Sequence, residues 1–276
     1  MLRTLRLALL LLIPGPFSIG QVATDPKPIQ DNSFLIEEAY NQEKGIVQHI
    51  NTFIYFADSH SWTYAFTQEW PVPGDQRHQL SYTLVAVRPG FSSTGAGFGD
   101  AFLNYRYQLV GNGGTRVAFA PRMSLIFSTG DSRLGRGSGG IGVQTSLPMS
   151  VVVNRALVTH WNAGATFVPH AQDPAADRAS TAAYNLGQSF IWLARPRVNF
   201  MLETVFASAQ AVVGRDKTLW ANSLFLSPGV RWAYNFKNGL QIVPGIAMPV
   251  GAGPSWGEKG VFIYLSFEHP FEKLAP

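Results

Sequence analysis

Trp62-Thr63-Tyr64-Ala65-Phe66-Thr67-Gln68-Glu69-Trp70 alternates with a period of two. Trp62, Tyr64, Phe66 and Trp70 share one side, with Gln68 the polar exception, while Thr63, Ala65, Thr67 and Glu69 share the other. Successive side chains of a strand point to opposite faces, so this stretch is a β-strand with one aromatic face and one small or polar face. A soluble barrel or sandwich turns its apolar face inward, where a row of large rings must fit a core. Large rings outside and small or polar residues inside are the inverse pattern, that of a strand embedded in lipid. Trp62 and Trp70 stand about 26 Å apart along a strand, and a ~45° tilt projects this to ~19 Å, close to the ~25 Å apolar band of a membrane barrel.

The pattern spreads in both directions. Ala101, Leu103, Tyr105, Tyr107 and Leu109 oppose Asp100, Phe102, Asn104, Arg106 and Gln108. Near the end, Val261, Ile263, Leu265 and Phe267 oppose Phe262, Tyr264, Ser266 and Glu268. Twelve such strands are expected, over 46–56, 62–70, 78–87, 100–110, 115–127, 141–153, 156–169, 182–194, 197–208, 221–235, 239–250 and 260–271. Short turns (71–77, 111–114, 154–155, 195–196, 236–238) alternate with mostly longer loops (57–61, 88–99, 128–140, 170–181, 209–220, 251–259). Short periplasmic turns and longer outer loops are the habit of outer-membrane barrels. The expected fold is therefore all-β, an antiparallel transmembrane β-barrel over residues 46–271, closed because an open edge in lipid leaves amides and carbonyls unpaired. An even strand count puts both barrel termini on the periplasmic side. Pro121, Pro148, Pro228, Pro244 and Pro249 fall inside these strands, where a missing N–H predicts shifted boundaries or a wall kinked at bulges. A kink of that kind would offer apolar solutes a lateral exit.

Composition agrees with a half-lipid, half-lumen wall. The 276 residues include 27 Gly and no Cys, 14% are charged and 13% aromatic, and mean hydropathy is +0.05. That hydropathy excludes a bundle of membrane helices but not a barrel, whose two faces average out. Lack of Cys excludes disulfide scaffolds and cysteine chemistry. The net charge of +4 carries no basic patch interleaved with aromatics, so nucleic acid is not an expected partner.

Residues 1–20 read as a cleavable export signal: Arg3 and Arg6, an apolar run from Leu7 to Ile13, a break at Pro14-Gly15-Pro16, and Ser18-Ile19-Gly20 before the cut. Residues 21–45 read as a periplasmic leader, with a possible short amphipathic helix over 34–43 that Asn32 or Ser33 would cap and Gly45 would end. Residues 272–276 form a short tail.

The stretches Asp31-Asn-Ser-Phe-Leu-Ile-Glu-Glu-Ala-Tyr-Asn-Gln-Glu43, Gly45-Ile-Val-Gln-His49 and Gly97-Phe-Gly-Asp100, the last leading into Tyr105-Arg-Tyr107, resemble the outer-membrane transporters named for the meta-pathway of phenol degradation. The resemblance covers nearly the whole mature chain and rests on barrel patterns rather than a catalytic fingerprint. It implies a β-barrel concerned with uptake of small, aromatic compounds. Many outer-membrane barrels end on a Phe that the assembly machinery reads. Here Phe271 closes the last strand but five residues follow it, a departure from that pattern.

Parity assigns the lumen. Glu69, Asp100, Asn104, Arg106, Arg122, His160, Glu203 and Arg231 are the pore-lining candidates, with Gln79, Gln144, Asn162, Asn185 and Gln241 beside them. A hairpin through 111–114 brings Arg122 near Asn104 and Arg106, with Asp100 farther up, a mixed-charge cluster suited to a constriction. Inward charges could equally pair with each other and fill the barrel. Trp62, Trp70, Tyr107, Trp192 and Phe271 are candidates for the interfacial girdles. No metal or cofactor is expected: the six His show no compact ligand spacing, and the Gly-rich stretches 95–99 and 135–142 lack the strand–helix context of a phosphate loop. The expected function is a channel for small apolar or aromatic compounds by passive or facilitated diffusion, with membrane lipid, solute and assembly machinery as partners. The alternatives are an outer-membrane hydrolase acting on lipid, for which Ser150 and His160 are unconnected candidates, and a closed structural or adhesive barrel.

Overall fold

Twelve strands form one antiparallel sheet that closes on itself in the computed structural model, which describes residues 29, 33–90 and 94–271. They are β1 (Ile46–Phe56), β2 (Trp62–Pro71), β3 (His78–Arg88), β4 (Gly97–Phe98 and Ala101–Tyr107), β5 (Val117–Phe119 and Arg122–Phe127) and β6 (Gly142–Ser146 and Met149–Asn154). The second half is β7 (Leu157–Gln172), β8 (Arg178–Arg195), β9 (Val198–Gly214), β10 (Lys217–Trp232 and Tyr234–Asn235), β11 (Gln241–Ala247 and Val250–Gly251) and β12 (Gly260–Pro270). Each strand pairs with the next, and β12 pairs with β1 from Ile46↔Pro270 to Phe56↔Gly260, which removes the open edges. The expected export signal, residues 21–28 and 30–32 of the leader and the 272–276 tail lie outside the described residues.

The alternation seen in the sequence sorts the two faces. Leu103, Met123, Leu125, Trp161, Leu186, Phe190, Phe200, Leu202 and Ile263 are exposed on the outside, while Gln48, Gln79, Ser124, Ser189, Glu203 and Ser227 are buried inside. A soluble monomer rarely exposes so continuous an apolar surface. The apolar core lies within the barrel, where Phe34, Ile50, Ile191, Met201, Val243, Phe262 and Tyr264 pack together.

Two expectations are corrected. The stretches 170–181 and 209–220 are largely strand rather than long loops. β7 and β8 meet across 173–177, and β9 and β10 turn at Arg215 and Asp216, so these hairpins rise higher than the rest of the wall. Asp216 takes a positive φ of 56°, which lets the tight turn form without glycine at that position. Between β5 and β6, Phe119↔Met149 and Arg122↔Ser146 belong to one register, so there Pro121 and Pro148 only interrupt the ladder. On the β4 side of Pro121 the pairing shifts by one residue between Arg106↔Arg122 and Val110↔Phe119, and Leu109 N and Val110 N both donate to Phe119 O, a bulge of the kind a proline predicts. The carbonyls of Pro121 and Pro148 still accept from Tyr107 N at 3.0 Å and Ala120 N at 3.2 Å. Pro228 and Pro244 sit in unbroken pairing, opposite Leu202 and Leu265. The motive for a lateral exit at a kink is thereby removed at Pro228 and Pro244, where the ladder is unbroken.

Candidate functional site

Residues 33–45 run inside the barrel, and they are not helical. An α-helix spends its N–H groups on its own carbonyls four residues back. Here the wall takes them instead. Phe34, Leu35 and Ile36 all donate to Glu203 Oε1, at 3.0, 3.1 and 3.2 Å, and Leu35 also to Oε2 at 3.0 Å. Ala39 N donates to Ser150 Oγ at 2.9 Å, Asn41 N to Gln108 Oε1 at 3.0 Å and Gln42 N to Gln79 Oε1 at 2.7 Å. The expected helix over 34–43 thus gives way to a non-helical plug bent at 34–36, because inward polar side chains take the backbone donors that local pairing would use.

The plug's side chains are seated as closely as its backbone. The Phe34 ring lies 5.3 Å from the rings of both Phe262 and Tyr264. It sits over Gly229 and Gly245, where any Cβ would collide with it, and Ile36 sits likewise over Gly187. Glycine at these three wall positions makes the groove that the plug occupies.

Glu37 is the centre of the charge cluster. Its carboxylate accepts from Arg106 Nη2, from Arg122 Nε at 2.9 and 3.0 Å, and from Ser146 Oγ at 2.9 Å. Arg106 and Arg122 are direct cross-strand partners on β4 and β5. Arg106 Nη1 also donates to Tyr40 O at 2.9 Å, while Arg122 reaches Asn104 Oδ1 and Gln144 Oε1 at 3.2 Å each. Burial works against the charge on Glu37, but the guanidiniums of Arg122 and Arg106 outweigh it and hold the carboxyl well below the usual carboxylate range.

The structure brings Asn104, Arg106 and Arg122 together as the sequence predicted. Asp100 stands apart: its carboxylate takes Gly130 N at 3.1 Å and Ser138 N at 2.7 Å, fastening the 128–141 loop. Glu69 accepts from Gln79 Nε2 at 2.9 Å. Glu203 is fully buried beneath the plug. His160 Nδ1 lies 2.7 Å from Ser150 Oγ, and its ring meets Tyr40 edge-on at 5.9 Å. The sequence offered no link between Ser150 and His160. The fold joins them, but Ser150 is fully buried and its oxygen holds the plug's Ala39. Sequence reasoning missed Glu37 as the acid of the cluster, although two inward arginines on one hairpin signalled that an acid was needed.

The plug divides the lumen. On its loop side lies a cavity of about 500 Å³, with Glu69, Asn104, Arg106 and Arg122 in its lining beside Phe34 and Tyr264. On its turn side lie two, one of about 460 Å³ with His160, Arg231, Tyr40 and Ile191 and one of about 530 Å³ between Asn41, Gln42, Arg77 and Gln108. Among the interfacial candidates, Trp62 and Trp70 sit near opposite ends of β2, Tyr107 ends its strand against His78 at 5.1 Å, and Trp192 lies tilted against Phe200 at 5.6 Å. Phe271 is exposed and its N–H donates to Gly45 O at 2.9 Å.

No protein-family model matches the chain, and no curated protein matches it in sequence. Solved structures do match in fold. The COG4313 outer membrane channel from Pseudomonas putida F1 superposes with a TM-score of 0.62 at 12% identity, covering 84% of this chain and 98% of that one. A NanC porin superposes with a TM-score of 0.52 at 12% identity, covering 79% and 98%. What this likeness shows is the fold, and the chain has the closed twelve-stranded β-barrel of outer-membrane proteins.

Proposed function

We propose that the protein is an outer-membrane channel for small apolar or aromatic solutes, which cross by passive or facilitated diffusion when the plug yields. The observation that carries this reading is a lumen with a cavity on each side of a short non-helical segment, about 500 and 460 Å³, each large enough for a one-ring compound. Polar groups and rings meet in the same space: Phe34, Phe102 and Tyr264 line the loop-side cavity together with Thr52, Thr67 and Asn104. A sealed structural barrel has no need for paired cavities or for a segment held almost wholly by side chains. In this reading the exposed apolar belt meets lipid, Trp62, Trp70, Tyr107, Trp192 and Phe271 border it, and the turn end that carries both barrel termini faces the periplasm. Assembly machinery reads the last strand.

Planar-bilayer recording tests the reading. The full chain should conduct weakly or intermittently, and Glu203→Ala should conduct more, because three plug amides lose their acceptor. Liposomes carrying the variant should swell in a small aromatic solute. Silence in both proteins, with no swelling, would identify a closed structural barrel instead.

A further inference from the structure

Two guanidiniums side by side inside a barrel need an anion. Arg106 is 2% exposed, and its Nε is buried with no hydrogen-bond partner among the described residues. The wall supplies Glu69, whose charge also acts on Arg106, but the carboxylate seen in hydrogen bonds to both guanidiniums is not on the wall. It is Glu37, contributed by the plug and reached by Arg106 Nη2, Arg122 Nε and Ser146 Oγ. The remaining plug contact of the pair, Arg106 Nη1 to Tyr40 O, leaves with the same segment. Withdrawal of the plug therefore takes away the carboxylate that bonds both guanidiniums and leaves two buried positive charges with Glu69 as their wall acid, and under-compensated buried charge is costly. Of the two, Arg122 is open to the loop-side cavity, its side chain 17% exposed. The same cavity presents Phe34, Ile36, Phe102 and Tyr264.

We propose that Arg106, Arg122 and Ser146 form a binding site for a solute carboxylate, which Glu37 occupies from within the chain while the plug is docked. The plug is then an internal stand-in for the solute. Its carboxylate lies on the guanidinium pair and its apolar residues Phe34 and Ile36 lie nearby, as the acid group and ring of an aromatic carboxylate would. A bidentate or bridging guanidinium–carboxylate contact is strong and directional, so it selects acids over alcohols of the same size. A solute carboxylate that takes the pair also lowers the cost of releasing Glu37, so binding and opening are coupled in the same direction. The inference rests on the channel reading for its biological sense, but the binding it predicts is measurable without transport.

The test uses the full chain folded in detergent, with Glu37→Gln to remove the competing carboxylate at nearly constant size. Calorimetric titration is run with benzoate, benzyl alcohol and inorganic phosphate, and folding is checked by the heat-dependent shift in gel mobility. Benzoate should bind Glu37→Gln on the order of tenfold or more tighter than the unaltered protein, the scale of one charge-assisted contact freed. Benzyl alcohol should not show this gain. Adding Arg122→Ala to Glu37→Gln should abolish it, while adding Arg133→Ala, a loop residue outside the cavity, should leave it. If folded Glu37→Gln binds benzoate no better than the unaltered protein, or if Arg122→Ala leaves the gain intact, the site is wrong. Phosphate binding as tight as benzoate would overturn the carboxylate class. Bilayer recording separates the two readings. Benzoate binding without conductance supports the site and removes the channel, whereas conductance without benzoate binding removes the site and keeps the channel.

Discussion

Glu203 holds the plug by its backbone, and the identity of the plug residues at that point matters less than their amides. Three N–H groups converge on one carboxylate that is itself fully buried. Leaving buried donors unsatisfied costs about 1–3 kcal/mol each. Glu203→Leu should therefore undock residues 33–45 and speed their proteolysis in the intact protein, whereas Glu203→Gln, which keeps one acceptor oxygen, should have a smaller effect. Gly245→Val tests the seating from the side-chain direction. The added methyl groups meet the Phe34 ring, and the variant should show the same protease sensitivity while the barrel stays folded. Glu37 supplies a pH signature. Its carboxyl falls from an ordinary 4.5 to about 2 when docked, with burial opposing and Arg122 and Arg106 prevailing. A depressed acid stabilises the docked state fully above its ordinary value and loses that stabilisation as pH falls through the depressed one. The Glu37 contribution should accordingly leave conductance flat from neutral pH to 4.5 and raise it progressively between 4.5 and about 2. A rise centred near 4.5 would mean that the guanidiniums do not hold Glu37.

At the scale of elements, Pro148 removes a donor without disturbing register between β5 and β6. Pro148→Ala should therefore fold and conduct as the unaltered protein does, with a stability change within about 1 kcal/mol, since a regained N–H and a looser unfolded chain offset each other. A shifted register or a broken barrel would show that the proline sets the wall. The strands themselves were legible because lipid outside and lumen inside impose a strict period of two. Reading was weakest where that contrast fades. In Ala207-Ser208-Ala209-Gln210-Ala211 the residues are small on both faces, so the rise of β9 beyond the expected limit at 208 left little trace. The plug was misread for a different reason. Leu35, Ile36, Ala39 and Tyr40 carry a helical spacing, yet the backbone partners that decide its conformation lie on β3, β4, β6 and β9. Parity set Arg106, Glu203 and Arg231 on the face that is buried in the fold but could not supply Glu37, which belongs to no strand.

For the whole molecule, closure of β12 on β1 gives the wall a complete ladder of its own, whatever fills it. The pairing from Ile46↔Pro270 to Phe56↔Gly260 is complete along both strands. Plug-releasing variants should thus retain the compact, fast-migrating form in unheated detergent gels, even where conductance has changed. Loss of that form would tie plug and wall into one cooperative unit. The plug also has a place in time. Phe34 and its acceptor Glu203 are separated by 169 residues, and Gly229 and Gly245 lie later still. The segment lies near the start of the chain but has no seat until β9, β10 and β11 are in place, so it can be fixed only as late as the strands that hold it, and the order of docking runs opposite to the order of the chain.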